Sequence, residues 1–315
     1  MIHKILQEIE NADTIIIFRH IKPDGDAIGS QYGLKYILKE NYPEKKIYCL
    51  GENSNYWNMY YSNIDSDALN EDIIKNSLAI ILDTPNMSRI DDQRYINAKR
   101  KIKIDHHIFV EEFADIEWIE TSSIATCQLI TKFALENNLR IPRNAALLLY
   151  TGLVTDSGRF QFQNTSAETL RMGAALLETG IDAQDLFRFM YESSENIVRF
   201  KGYCENNFTL LKCGLAYNIL DKEILKEYEV TASSGASNVN ALSGIKKVKI
   251  FVHFAEQDDG TIKVEFRSKK IPVNLIANRY GGGGHALASG TIVNSFDVVD
   301  DIIDDLIELC EEDEE

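Results

Sequence analysis

Basic residues are in short supply: 33 lysines and arginines face 49 aspartates and glutamates, a formal net charge of −16. A chain so acidic has no basic track with which to release counterions from a long phosphate backbone, so it is not expected to grip long nucleic acid. A small phosphorylated substrate is not excluded, because a bound divalent cation supplies positive charge locally. No apolar run approaches the ~18 residues of a membrane helix, so no membrane partner is expected. Cysteines number five, at positions 49, 127, 204, 213 and 310, with no CxxC pair. Their odd number and scatter argue against a disulfide framework or a structural zinc, and fit reduced thiols in a cytoplasmic protein. There is no internal repeat.

What is present is a hydrophobic fraction of 44% over 315 residues, enough for one large domain or two medium ones. Ile2, Ile5, Leu6 and Ile9 recur at helical spacing and read as an amphipathic helix of the fold, not as a signal peptide. TIIIF (14–18), LAIIL (78–82) and KIKI (101–104) read as buried strands, with a helix over 27–40 between the first two. Helices are also expected over 124–138, 144–153 and 166–179. This alternation predicts a parallel sheet with covering helices.

A long helical stretch, 183–212, is expected to bridge two domains. Beyond it the pattern turns strand-like at 215–220, 249–255 and 261–267, with EQDDG as a hairpin turn between the last two. A helix over 272–280 is broken by GGGG, and ASGTIV reads as another strand. Residues 231–244, rich in serine, asparagine and glycine, are expected to be a loop. An amphipathic helix from 296 ends in an acidic, frayed EEDEE. The expected fold class is α/β: a parallel-sheet N-terminal domain with flanking helices over 1–195, a linker helix over 196–214, and a smaller α/β domain over 215–315.

Ligands of parallel sheets bind outside the carboxyl ends of the strands. Four segments place acids and histidines there or just past a helix: His20, Asp24 and Asp26 in FRHIKPDGDAIGS; Asp83 after LAIIL; Asp105, His106 and His107 after KIKI; Asp156 in TGLVTDSGRF. A lone aspartate at a strand end is usually a cap or a turn residue. Four clusters together point to one site. Carboxylates gathered without cations would repel and take up protons. Two divalent ions neutralise them and ready water to attack a phosphate ester. Mixed aspartate and histidine ligation disfavours calcium and permits manganese, cobalt or zinc. With carboxylates in the majority, two Mn2+ ions are the first expectation, with Mg2+ or Co2+ as alternatives.

These four segments resemble the motifs of the DHH phosphoesterase family, named for a triplet matched here by Asp105-His106-His107. The resemblance implies that His20 and Asp24 hold one metal, that Asp26, His106 and Asp156 hold the second, and that Asp83 bridges both. His107 is similar in place to the histidine that faces the phosphate, with Asp105 orienting a neighbouring histidine. The C-terminal stretch from Glu265 to Gly290 looks like the substrate-binding domain that accompanies one branch of the family. There Arg267, Gly282, Gly283, Gly284 and His285 are implied to hold the nucleotide: glycine amides approach phosphates closely, and arginine offers a fork for a second phosphate. No role is evident for Arg159 or for Asn164 and Thr165.

The short two-domain form is similar to nanoRNase-type members. This implies hydrolysis of short RNA, dinucleotides or 3′-phosphoadenosine 5′-phosphate (pAp), a substrate in a cleft between the domains, and a homodimer. The alternatives are a phosphodiesterase for pApA or cyclic di-AMP, a single-strand DNA exonuclease, a manganese pyrophosphatase, and a non-catalytic nucleotide-binding module. Short chain length, acidity, the glycine-histidine motif and the intact ligand set argue against the last three.

Overall fold

Strands that are apolar at every position, rather than at every second one, must be buried on both faces. LAIIL is of this kind, as is TIIIF after its half-buried threonine, and they form the centre of the first sheet. A computed structural model describes residues 1–53 and 69–312; the last three residues of the expected frayed end lie outside that range. The chain divides into two compact units, Met1–Tyr191 and the remainder from Glu192.

The first unit begins with α1 (Ile2–Asn11), β1 (Thr14–Phe18), α2 (Gly25–Asn41) and β2 (Lys46–Cys49). It continues through α3 (Glu71–Lys75), β3 (Leu78–Leu82), β4 (Arg100–Asp105) and β5 (Ile116–Ile119), and ends with α4 (Thr126–Glu136), α5 (Arg143–Asp156), α6 (Ala167–Glu178) and α7 (Ala183–Tyr191). The sheet is five-stranded and parallel throughout, in the order β2-β1-β3-β4-β5. Alternate side chains go to opposite faces. Ile15, Ile17, Ile80 and Leu82 join α1, α2, α4 and α5 in one core. Ile16, Phe18, Ala79 and Ile81 join Ile74, Ile90 and Tyr95 in another. Helix α2 is buried on nearly all sides, and Gly29 lets it approach α5: a β-carbon there would lie 2.5 Å from the Leu148 carbonyl oxygen.

The second unit contains α8 (Glu195–Asn206), β6 (Thr209–Leu210), β7 (Leu215–Leu220), α9 (Lys222–Glu227) and α10 (Ala232–Ser237). It ends with β8 (Ile250–Glu256), β9 (Ile262–Ser268), α11 (Asn274–Arg279), β10 (Gly283–His285), β11 (Ala288–Val293) and α12 (Phe296–Glu312). Its sheet order is β10-β11-β9-β8-β7-β6, with only the β7–β8 pair parallel. Val299, Ile302, Leu306 and Cys310 of α12 cover one face, against Val252, Phe254, Val264 and Phe266.

Two expectations need correction. The stretch 183–212 is not one bridging helix: it breaks at Glu192-Ser193-Ser194, where Ser194 has extended backbone. Helix α8 is not a free linker, because Phe200 and Cys204 are buried with Leu220, Leu225 and Val230. Nor is 231–244 a loop. Thr231 caps α10 by accepting from the Ser234 amide at 3.2 Å, and a 3-10 turn, Asn238–Leu242, follows. Its small residues meet a packing need: a β-carbon on Gly235 would lie 2.7 Å from Leu225 Cδ2. Among the described residues, no helix is long and apolar enough to cross a membrane.

His253 of β8 is fully buried; its Nδ1 donates to the Gly235 carbonyl at 3.0 Å and its Nε2 has no partner. Burial, only partly offset by that bond, lowers its pKa to about 4.

Two measurements follow. Gly29→Ala is expected to lower unfolding free energy by about 1–3 kcal/mol in urea, by overpacking. Gly202→Ala, where nothing lies within 4 Å of the added carbon, leaves it unchanged or slightly raised. As pH falls below ~6.5 the unfolded chain protonates His253 while the folded chain resists, so stability is lost down to about pH 4. Across that window His253→Gln should spare up to about 3 kcal/mol of the acid-induced loss seen in the parent; equal losses would contradict the assignment.

Candidate active site

Strands β1, β3 and β4 are neighbours and run parallel, so the residues after them emerge at one edge of the sheet. His20 follows β1, Asp83 follows β3, and Asp105 ends β4 ahead of His106 and His107. The amino end of α2 contributes Asp24 and Asp26, and the carboxyl end of α5 contributes Asp156. The structure therefore gathers Asp105 and all seven expected metal and catalytic residues.

Asp24 caps α2: its Oδ1 accepts from the Asp26 and Ala27 amides, both at 3.0 Å. Its Oδ2 lies 3.8 Å from His20 Nε2. Asp26 is buried and accepts from two backbone amides at the start of α4, Thr126 at 2.7 Å and Cys127 at 2.8 Å. This places a carboxylate at the positive end of a helix dipole. Gly152 makes room for it, since a β-carbon there would lie 2.8 Å from Asp26 Oδ1. Asp83 is buried, with a left-handed φ of 56° that aspartate tolerates better than most residues. Its Oδ2 is 3.4 Å from His20 Nε2 and its Oδ1 is 3.4 Å from His106 Nε2. Thr126 Oγ1 donates to Oδ1 at 3.2 Å. His106 Nε2 also lies 3.7 Å from Asp26 and 3.6 Å from Asp156.

Backbone carbonyls fix the imidazoles. His20 Nδ1 donates to Ile21 O at 2.7 Å and His106 Nδ1 to Ser123 O at 3.4 Å. Once a metal displaces the Nε2 proton, each ring would present the Nε2 lone pair on the side of the carboxylates. His107 is held differently: its Nδ1 donates to Asp105 Oδ1 at 2.8 Å. Asp105 is backed by the buried Lys103, 3.6 Å from its Oδ2. That lysine donates to Pro85 O at 3.0 Å and lies over the Phe113 ring.

The electrostatics are those of a site short of positive charge. Burial, then Asp83 nearby, pushes the Asp26 pKa up to about 7 against the pull of His106. Burial and the neighbouring aspartates raise that of Asp156 well above the carboxylate range. Burial would raise Asp83 too, but His106 and His20 hold it well below its usual value. Burial would lower His20 and His106, yet the facing carboxylates bring each to about 10. The donor chemistry fits divalent ions. His20, Asp24 and Asp83 form one set, and Asp26, His106 and Asp156 a second, with ligand atoms within 4.8 Å of one another in each. Asp83, His106 and His107 form a third combination, but His107 Nδ1 is committed to Asp105.

In the second unit, Arg267 of β9 pairs in register with Ala288 of β11, which pairs with His285 of β10. The three residues form one row, so their side chains share a face. Arg267 donates to Glu265 at 3.1 Å and to Phe266 O at 2.8 Å. The glycines differ in what they are for. A β-carbon on Gly282 would strike Gly290 and Thr291; on Gly284, with φ +136°, it would strike Ser289. Gly283 has room.

Sequence reasoning missed Lys103, which looks like an ordinary polar position in KIKI, and the Thr126 and Cys127 amides, which carry no side-chain signal. It also missed Arg19. This fully buried arginine pairs with Asp91 at 2.6 Å, bonds Gln31 at 3.0 Å and the His20 carbonyl at 3.1 Å, and so ties down the loop bearing His20.

Adding Mn2+ is expected to stabilise the first unit by about 2.7 kcal/mol per site at a hundredfold excess over Kd, reversed by a chelator. Asp83→Ala should abolish most of this gain; an undiminished gain in that variant would remove Asp83 from the ligand set.

Family models match in both units: the DHH family N-terminal domain over residues 14–153 and the DHHA1 domain over residues 216–312. The chain is 38% identical, over 99% of both lengths, to the bifunctional oligoribonuclease and PAP phosphatase NrnA of Bacillus subtilis. It is 37% identical, over 96% of both, to the probable bifunctional oligoribonuclease and PAP phosphatase NrnA of Streptococcus mutans. A solved structure, that of an exopolyphosphatase-related protein from Bacteroides fragilis, is similar at a TM-score of 0.86 and 27% identity, covering 98% of this chain and 97% of that one. The chain belongs to the DHH family of phosphoesterases, with a DHH N-terminal domain followed by a DHHA1 domain.

Proposed function

We propose that this chain hydrolyses short oligoribonucleotides, dinucleotides and pAp to mononucleotides in a two-metal site. The observation that carries the reading is the placement of Asp83, whose two oxygens face two separate ligand sets. His20 and Asp24 would hold one ion, Asp26, His106 and Asp156 the other, and Asp83 both. Carboxylates outnumber imidazoles, which favours Mn2+ over Mg2+ or Co2+. When bound, the ions supply the positive charge and Lewis acidity that phosphate-ester hydrolysis needs.

The chain's own groups do the rest. Asp105 and Lys103 fix the His107 ring, leaving Nε2 to pass a proton to or from a phosphate ester oxygen. Asp26 is held in orientation by the α4 amides, which donate to both of its oxygens. In the second unit, Arg267, Gly283 and His285 are the groups proposed to hold the nucleotide part. Gly282 and Gly284 shape the hairpin that presents them. The relatives named above as oligoribonucleases and PAP phosphatases support this substrate class. A cytoplasmic location and a homodimer belong to the same proposal, the former supported by five buried cysteines, none of them in a disulfide among the described residues.

The test is a kinetic comparison of pAp, pApA and a three- to five-residue RNA with Mn2+ and with Mg2+. At least one should be turned over, faster with Mn2+. Asp83→Ala should lose about a thousandfold in kcat, or ~4 kcal/mol of barrier, while still binding nucleotide. Metal-loaded protein inert toward all three would overturn the proposal.

A further inference from the structure

The metal cluster leaves the stretch after Asp156 without a role. Gly158, Arg159 and Phe160 have φ values of 53°, 63° and 62°. Three successive left-handed residues, two of them not glycine, are unfavourable for L-amino acids, and such strain persists only where the surroundings enforce it. Here the enforcement is visible. The Arg159 amide donates to Val154 O at 2.8 Å, and the Phe160 amide to Ser157 Oγ at 2.8 Å. The amides of Gln161 and Phe162 both donate to Ser157 O at 3.0 Å. Phe160 is anchored against Tyr150, and the Arg159 guanidinium lies 5.2 Å from the centre of the Tyr191 ring. Arg159, although exposed, thus has an aromatic neighbour in the same unit.

What the turn displays is Phe162. Its ring lies against Gly158, so close that a β-carbon there would collide with it, yet the residue is 57% exposed. An aromatic ring this exposed contributes little to a core. Its backbone is nonetheless held by the Ser157 carbonyl, and its ring rests on a glycine two residues from the expected ligand Asp156. A phosphate ester held by that cluster carries its nucleoside one ribose away.

We infer that Phe162 is a stacking platform for a nucleobase of the substrate, set in place by the left-handed turn Gly158–Phe160. This rests on the nucleotide reading proposed above. Stacking on a phenyl face tolerates any base, since every base has a π-face. A platform of this kind fits an enzyme that takes short RNA without regard to sequence.

The test uses the full, Mn2+-loaded chain with pApA and with the same dinucleotide carrying an abasic ribose in place of either nucleoside. Phe162→Ala and Phe162→Leu should each raise KM for pApA about tenfold. They should also shrink, by a similar factor, the preference in kcat/KM for pApA over one of the abasic analogues. Phe162→Tyr should restore both. If leucine restores them as well as tyrosine, the ring is only filling space and the inference falls. It falls too if the preference is unaltered in Phe162→Ala. A parent protein inert on every nucleotide would overturn the proposed function, and this inference with it.

Discussion

The two oxygens of Asp83 look in opposite directions, one toward His20 and one toward His106, each at 3.4 Å. That arrangement depends on strand order. Strand β3 lies between β1 and β4, so the residue that follows it stands between the residues that follow its neighbours. A carboxylate at this point is within reach of ligands from both sides, and a one-residue slip of register would turn it away. Close packing of β1 and β3 on both faces, rather than any alternation of polar and apolar residues, opposes such a slip. Core packing therefore sets the spacing of charges that would otherwise repel.

The protein compensates its buried charges one at a time. Asp26 is met by the amides of α4, Asp105 by Lys103, and Asp91 by Arg19. The central group is not balanced in this way. Asp24, Asp26, Asp83 and Asp156 supply four negative charges when ionised, and His20 and His106 two positive charges when protonated. The chain alone responds by retaining protons: burial, then the neighbouring carboxylates, shifts Asp26 and Asp156 upward, and against burial the facing carboxylates bring both histidines to about 10. Divalent cations would take the place of those protons, and their binding would release them.

Much of this was legible in the sequence because the ligands sit at element ends. Acids and histidines immediately after apolar runs are visible without knowing how the runs pair, and the parallel sheet then brings them to one edge. Strands β2 and β5 were not legible: they are four-residue edge strands in which alternate positions are only partly buried or exposed, which dilutes the apolar signal. Helix α10 was misread because serine and glycine suit a loop, while here their small size allows the helix to lie close to its neighbours. The break between α7 and α8 carries no glycine or proline to mark it; it is set by which core each half joins. Lys103 and the α4 amides could not be found from residue type, since their roles come from what lies opposite them.

The glycine-histidine motif shows how a sequence signature divides into scaffold and contact. Gly282 and Gly284 are glycines because β11 passes too close for a β-carbon, which leaves Gly283 with room and His285 in the Arg267 row. Glu265 binds one nitrogen of Arg267 and offsets part of its charge. As the proposed nucleotide site, this row would recognise a phosphate by shape and hydrogen bonding at one place, not by long-range attraction. On a chain of net charge −16, every additional phosphate of a longer polyanion meets a repulsive field away from such local positive points. The proposed preference for very short nucleotides would then follow from electrostatics.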